Sequence, residues 1–173
     1  MRPAPEKFIA KMKYAPPADL AFPAPGHDHR GCTDRALSDA AAVCATRGGR
    51  LTEIRRRVLE AVWDSHAPLG AYDILARLNR DGGRNVPMAV YRALDFLMEH
   101  GLVHRLASRN AFIGCRHPGD AHSAQFLICE ACGTVAELAS PAVHAAIQRA
   151  AAQKGFTVAG ETIEISGRCP HCR

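Results

Sequence analysis

The chain has 173 residues, enough for one medium or two small domains, and no apolar run reaches the length of about 18 that a membrane span requires. Its formal net charge of +5 points to an anionic partner, and the excess is local: residues 34 to 110 hold 12 Lys and Arg against 9 Asp and Glu, residues 111 to 173 hold 5 against 5. Seven cysteines, an odd number with four in paired CxxC, suit a reducing compartment better than a secreted disulfide framework, so a cytoplasmic protein with no membrane partner is expected.

Residues 1–33 carry six of the eleven prolines (Pro3, Pro5, Pro16, Pro17, Pro23 and Pro25) and few β-branched residues, a composition that buries no core, and a mobile tail is expected there. Within it GHDHRGC brings His27, His29 and Cys32 close together; the ordinary reading is a solvated polar tail, the other a weak chelating site. From Asp34 a helix is predicted with Leu37, Ala41 and Cys44 on its apolar face, closed by Gly48-Gly49. Cys44 reads as a small core residue and stays outside the metal set. Thr52 then caps a second helix whose stripe is Ile54, Val58, Leu59, Val62 and Trp63, with Arg55, Arg56 and Arg57 on its outer side.

Ala67-Pro-Leu-Gly70 breaks the chain before a third helix, AYDILARLNR, which ends at Asp-Gly-Gly. Pro87 fits the first turn of a fourth, with Val90, Leu94 and Leu97 inward and Gly101 as its stop. Two short strands follow, LVHRLAS and AFIGC, about a turn at Ser108-Arg109-Asn110. This order is that of a winged helix-turn-helix in which the fourth helix enters the major groove, with Tyr91 and Arg92 near its N-terminal end available for base and phosphate contact.

Beyond Cys115 the pattern alternates: strands SAQFLIC and GTVAEL, a helix from Ser140-Pro141 to about Lys154, and a last strand, FTVAGETIEISG. The fold class is therefore α+β, with a tail (1–33), a winged-helix domain (34–114), a hinge (115–123) and a small α/β dimerisation domain (124–173). The exposed sheet edges of that last unit favour a symmetric homodimer.

Cys129-Glu-Ala-Cys132 and Cys169-Pro-His-Cys172 are two knuckles 36 residues apart that can hold one structural zinc on four thiolates; a disulfide pair or free dithiols are the plainer alternative. His104, Cys115 and Glu137 remain, with His122 and His117 competing for a fourth place. They form a mixed nitrogen, sulfur and oxygen set spanning the joint between the domains. Taken singly they are a polar surface histidine, a buried thiol and a solvated strand end. An enzyme is not expected: Pro170-His171-Cys172 superficially matches part of a deaminase motif, but no suitably placed His-x-Glu precedes it, and a four-thiolate site leaves no coordination position for water. A zinc-stapled adaptor without DNA binding is the third reading.

YRALDFLMEHGLVH, the wing, His-x6-Cys-x2-Cys-Gly-x-Val-x-Glu and the terminal CxxC together resemble the ferric uptake regulator family of metal-sensing repressors, over about residues 36 to 172. AYDIL, VYRALDFL and the lack of a His-His-Asp-His run before Cys129 make the chain most similar to its zinc uptake regulator branch. The resemblance implies a dimer, a structural zinc on Cys129, Cys132, Cys169 and Cys172, and a regulatory zinc on His104, Cys115, His122 and Glu137, hence two zinc ions per chain. It also implies DNA contacts by Arg55, Tyr72, Tyr91 and Arg92. The chain departs from the family in reading Leu51-Thr-Glu-Ile-Arg55 and Met88-Ala-Val-Tyr-Arg92 where LTPQR and PTVYR are frequent, which changes how two helices start.

The expected function is repression of zinc-uptake genes by a dimer that binds palindromic double-stranded operator DNA when zinc fills the interdomain site, with no small-molecule substrate. The runner-up is a relative that senses iron or another metal; a thiolate ligand at Cys115 favours zinc.

Overall fold

The structure is a computed structural model that describes Phe22 and residues 28–80, 83–119 and 123–173. Four helices come first: α1 (Arg30–Arg47), α2 (Glu53–Trp63), α3 (Ala71–Arg80) and α4 (Pro87–Glu99). A hairpin of β1 (Val103–Leu106) and β2 (Ala111–Gly114) follows, and then β3 (Ala124–Cys129), β4 (Val135–Glu137), α5 (Pro141–Ala152) and β5 (Thr162–Gly167).

The helices form because their apolar residues recur at helical spacing, and they pack on one another through those stripes. Val58, Leu59 and Val62 of α2, Ile74 and Leu78 of α3, and Val90, Leu94 and Leu97 of α4 make one core with Leu102, Val103 and Phe112. Full burial of each of the larger side chains contributes roughly 1.5–3 kcal/mol. Pro87 opens α4, where a missing N–H costs nothing. Gly101, at φ +67°, closes it: the Gly101 N–H donates to Met98 O at 2.9 Å and the Leu102 N–H to Leu97 O at 2.8 Å. That double bond pattern needs a left-handed residue, and it turns the buried Leu102 directly into the wing.

The wing is an antiparallel pair with His104 opposite Ile113 and Leu106 opposite Ala111. Its turn is a 3-10 segment, Ala107–Arg109, ended by Asn110 at φ +46°. The second sheet has the order β4-β3-β5, with β3 antiparallel to β4 and parallel to β5, so the chain returns along β4 and α5 links the end of β4 to the start of β5 on the other side of β3. A smaller core joins the two sheets: Leu106 of β1, helped by Ile113 of β2, packs with Phe126, Ile128 and Val135.

Three expectations are corrected. The first helix starts at Arg30, not Asp34, and buries Ala36, Ala40, Val43 and Cys44, while Ala41 is exposed and Leu37 only half-buried. The buried stripe is made of small residues, two alanines, a valine and a cysteine, so a pattern sought in larger residues falls one position out of phase. Of the three arginines, Arg56 stays on the outer side, its side chain 42% exposed and paired with Glu53 and Glu60, whereas Arg55 and Arg57 are held against the fold: Arg55 lies over the Phe96 ring and Arg57 donates to Leu78 O at 2.8 Å. The last strand begins at Thr162, not Phe156, because β5 is in register with β3 only from Ala124↔Thr162 onward and Phe156 stands outside the sheet, 66% exposed.

Candidate metal centres and DNA-reading face

The four paired cysteines converge because β3 and β5 run side by side and end together, with Cys129 opposite Gly167. A tight turn follows Cys129: the Gly133 N–H donates to Cys129 O at 2.9 Å, and Cys132 is brought back over the strand end. The Cys172 N–H donates to Cys169 O at 3.0 Å, which builds the matching turn beyond β5, and the Cys169 N–H donates to the Cys129 sulfur at 3.4 Å. All four sulfurs lie within 4.8 Å of one another, and Cys132 Sγ is 3.8 Å from Cys169 Sγ. Bonds of about 2.3 Å at tetrahedral angles require sulfur–sulfur edges of about 3.8 Å, so the donor set fits zinc in spacing as well as softness.

The thiols are not equivalent. Backbone N–H groups, first that of Cys169, hold the Cys129 thiol down to about 6, and the Thr134 hydroxyl lowers that of Cys132. Cys172, facing Cys169 and then Cys132, is pushed up to about 12. Cys44 lies elsewhere, buried in the helical core with its pKa raised by burial, as a packing residue should be.

At the junction of the two sheets, the ligand atoms of His104, Cys115 and Glu137 also lie within 4.8 Å of one another. Each is positioned by its place on or beside a strand. His104 sits mid-strand in β1 with its ring edge-on to Phe126, centroids 5.3 Å apart. Cys115 follows β2 and is tied down by its N–H to Leu102 O at 3.0 Å. Glu137 ends β4, 5% exposed; its Oε2 accepts from the Arg116 N–H at 2.9 Å and its Oε1 lies 3.4 Å from His104 Nε2. A buried carboxylate beside an imidazole and a thiol is costly as bare protein and well suited to a divalent cation. Nitrogen, sulfur and oxygen donors at these separations fit a zinc-type site. His122 lies outside the described residues; His117 is half-buried and belongs to neither group of converging ligands.

The GHDHRGC motif divides. His27 lies outside the described residues, while His29 precedes α1 with its ring 4.7 Å from that of His66, and Cys32 is within the helix. A pair that sequence reasoning passes over is His144 and Glu161: their side chains meet at 2.9 Å and line, with His104, Ser123 and Gln148, a groove of about 640 Å³. The His144 imidazole lowers the Glu161 carboxyl pKa. No motif links a helix histidine to a glutamate at the foot of the next strand, so nothing in the sequence flags the pair.

On the helical side, α4 buries Val90, Ala93, Leu94 and Leu97 and turns Met88, Tyr91, Arg92 and Asp95 outward. Tyr72, at the start of α3, is 69% exposed. Arg55 differs from Tyr72, Tyr91 and Arg92: its guanidinium lies over the Phe96 ring at 3.4 Å and donates to Arg50 O, so it is held against the fold.

The ferric uptake regulator family model matches residues 46–166. The chain belongs to the ferric uptake regulator family. Within it, the chain is similar to the zinc uptake regulation protein of Escherichia coli (strain K12), 37% identical over 142 residues that cover 81% of this chain and 82% of that protein. It is likewise similar to the structure of a zinc uptake regulator complexed with zinc and DNA, at 35% identity and a TM-score of 0.76, covering 80% of this chain and 93% of the other. The crystal structure of holo XcZur matches at 39% identity and a TM-score of 0.74, over 80% and 96% of the two chains. The family match begins within α1 and leaves the proline-rich segment outside it. Among the described residues no helix is long and apolar enough to cross a membrane.

Proposed function

We propose that this chain is a zinc-responsive transcriptional repressor that binds operator DNA as a homodimer in the cytoplasm, represses zinc-uptake genes and has no enzymatic activity. The observation that carries this reading is the convergence of His104 and Cys115 from the wing side with Glu137 from the C-terminal sheet. Two zinc ions per chain are proposed, a structural one on Cys129, Cys132, Cys169 and Cys172 and a regulatory one on His104, Cys115, Glu137 and His122. Bound zinc supplies a cross-link and neutralises the thiolate and carboxylate charge.

The rest is done by the chain. Residues 34–114 act as the DNA-binding unit, 115–123 as the hinge and 124–173 as the dimerisation unit. With the wing held to the sheet through His104 and Glu137, α4 keeps one orientation relative to β3 and β5, and so relative to the partner protomer. Two such helices at fixed spacing match two half-sites of a palindrome. The sheet's edge strand β5, with Ile165 46% exposed, and α5, which buries none of its residues, supply the surface for the second copy. Tyr72, Tyr91 and Arg92 contact the operator, and Arg55, expected on phosphate, supports α4 from beneath by holding Phe96.

The test is selection from random duplexes by the zinc-loaded chain, followed by fluorescence anisotropy on the selected duplex. Binding in zinc that is lost on chelation and weakens steeply with salt is expected. Equal binding in zinc and in chelator would overturn the reading.

A further inference from the structure

Six large hydrophobic side chains stand exposed among the described residues, and four of them, Tyr72, Val86, Met88 and Tyr91, fall between the start of α3 and the second turn of α4. Val86 and Met88 are each 59% exposed. Met88 is the second residue of α4, on the face opposite Val90, Leu94 and Leu97, one turn before Tyr91 and Arg92. It therefore contributes nothing to the core, and burial within the chain does not account for an apolar side chain there.

The surroundings are electrostatically prepared for a polyanion. The first turn of α4 holds no acidic residue. Arg84 on the approach to the helix and Arg92 along it are both exposed. An apolar side chain flanked by cations at the N-terminal end of a groove-entering helix matches one feature of duplex DNA. The thymine 5-methyl is the apolar group that base pairs present on the floor of the major groove. Methionine, flexible and polarizable, packs on such a group without demanding one fixed geometry.

We infer that Met88 reads the 5-methyl group of a thymine in each operator half-site, making it a specificity-determining residue. This rests on the DNA-binding role proposed above. Burying one methyl accounts for about fourfold in affinity.

The probe is the duplex selected by the zinc-loaded full chain, with its thymines replaced one at a time by deoxyuridine, which deletes the methyl alone. At one thymine per half-site the wild-type chain loses about fourfold in affinity. Met88→Ala binds the two duplexes equally while its zinc dependence is unchanged, and Met88→Leu restores the step. Because Met88 is exposed and alanine favours helix, Met88→Ala keeps the wild-type melting temperature. A half-site without thymine, neutral replacements throughout, or a step of full size in Met88→Ala overturns the inference while zinc-dependent DNA binding stands. If no duplex is selected in zinc, the DNA-binding role falls and this inference with it.

Discussion

His104 Nε2, on the first strand of the wing, lies 3.4 Å from Glu137 Oε1, at the end of a strand in the other sheet. The two side chains meet because Leu106 and Ile113 of the hairpin share a small core with Phe126, Ile128 and Val135. The polar junction is thus built on an apolar one. Apolar packing sets the approach of the two units, and the polar side chains at its margin meet where that packing brings them together.

Cys115 is 2% exposed and its thiol faces His104 and Glu137. Cys115→Ser keeps the volume and removes the soft donor. The variant retains one tightly held zinc, loses the second at least as severely as the ~10–100-fold seen when outer partners of a ligand are removed, and no longer binds operator in a zinc-dependent way. Zinc content by atomic absorption and DNA affinity by anisotropy check this.

Gly114 places Cys115 by lying against the Trp63 indole, where an added Cβ would stand well inside van der Waals contact with the ring. Gly114→Ala forces β2 away from α2 and carries Cys115 with it. A loss of roughly 1–3 kcal/mol of stability is expected, together with a weakened second zinc and an undisturbed zinc on the four paired cysteines. Urea melts and competition with a chromogenic chelator separate the two effects.

Glu164 of β5 ties the sheet to the wing: its carboxylate accepts from the Ala107 N–H at 2.7 Å, from the Ser108 N–H at 3.2 Å and from the Ser108 hydroxyl. Burial raises its pKa, and these donors outweigh that effect, led by the Ser108 hydroxyl, so the folded value is lowered. A lowered carboxyl pKa stabilises the fold above the unfolded value, about 4.3, and that contribution disappears as pH falls through the folded one. Glu164→Gln should melt about 2–4 °C below wild type at pH 7 if the lost stability is about 1 kcal/mol. The gap should close as the pH falls below about 4. A gap that is constant from pH 7 to pH 3 would assign it to packing.

In the zinc-free chain the cysteine cluster should react unevenly. Cys132 is exposed with its pKa lowered by Thr134, whereas Cys172 is pushed up to about 12. Thiolate is the reacting form. Iodoacetamide at pH 7 therefore labels Cys132 before Cys172, and zinc protects both; peptide mass spectrometry reads the order.

Much of the fold is legible in the sequence where local rules and global packing agree. AYDILARLNR gives α3 residue for residue, Pro87 and Gly101 bound α4 closely, and the two CxxC knuckles announce their own convergence. What the sequence hides, it hides for physical reasons. A helix whose buried face is made of small residues, Ala36, Ala40, Val43 and Cys44, carries little contrast, so the pattern places α1 late and out of phase. A strand's start depends on where its neighbour begins, and the apolar run alone makes β5 too long for that reason. Arginines that pack on Phe96 or donate to Leu78 O look like solvated ones until the tertiary structure places them. Residue type suggests that His104, Cys115 and Glu137 belong together, but their separation in space is a property of the joint between the two sheets, which no local pattern encodes.

The most direct test is a zinc titration of the full chain in chelator-buffered solution, with bound zinc and operator anisotropy measured on the same samples. The first equivalent per chain should leave DNA affinity low, and affinity should rise with the second. Full affinity at one zinc per chain, or no change between one and two, would contradict a regulatory ion at the joint.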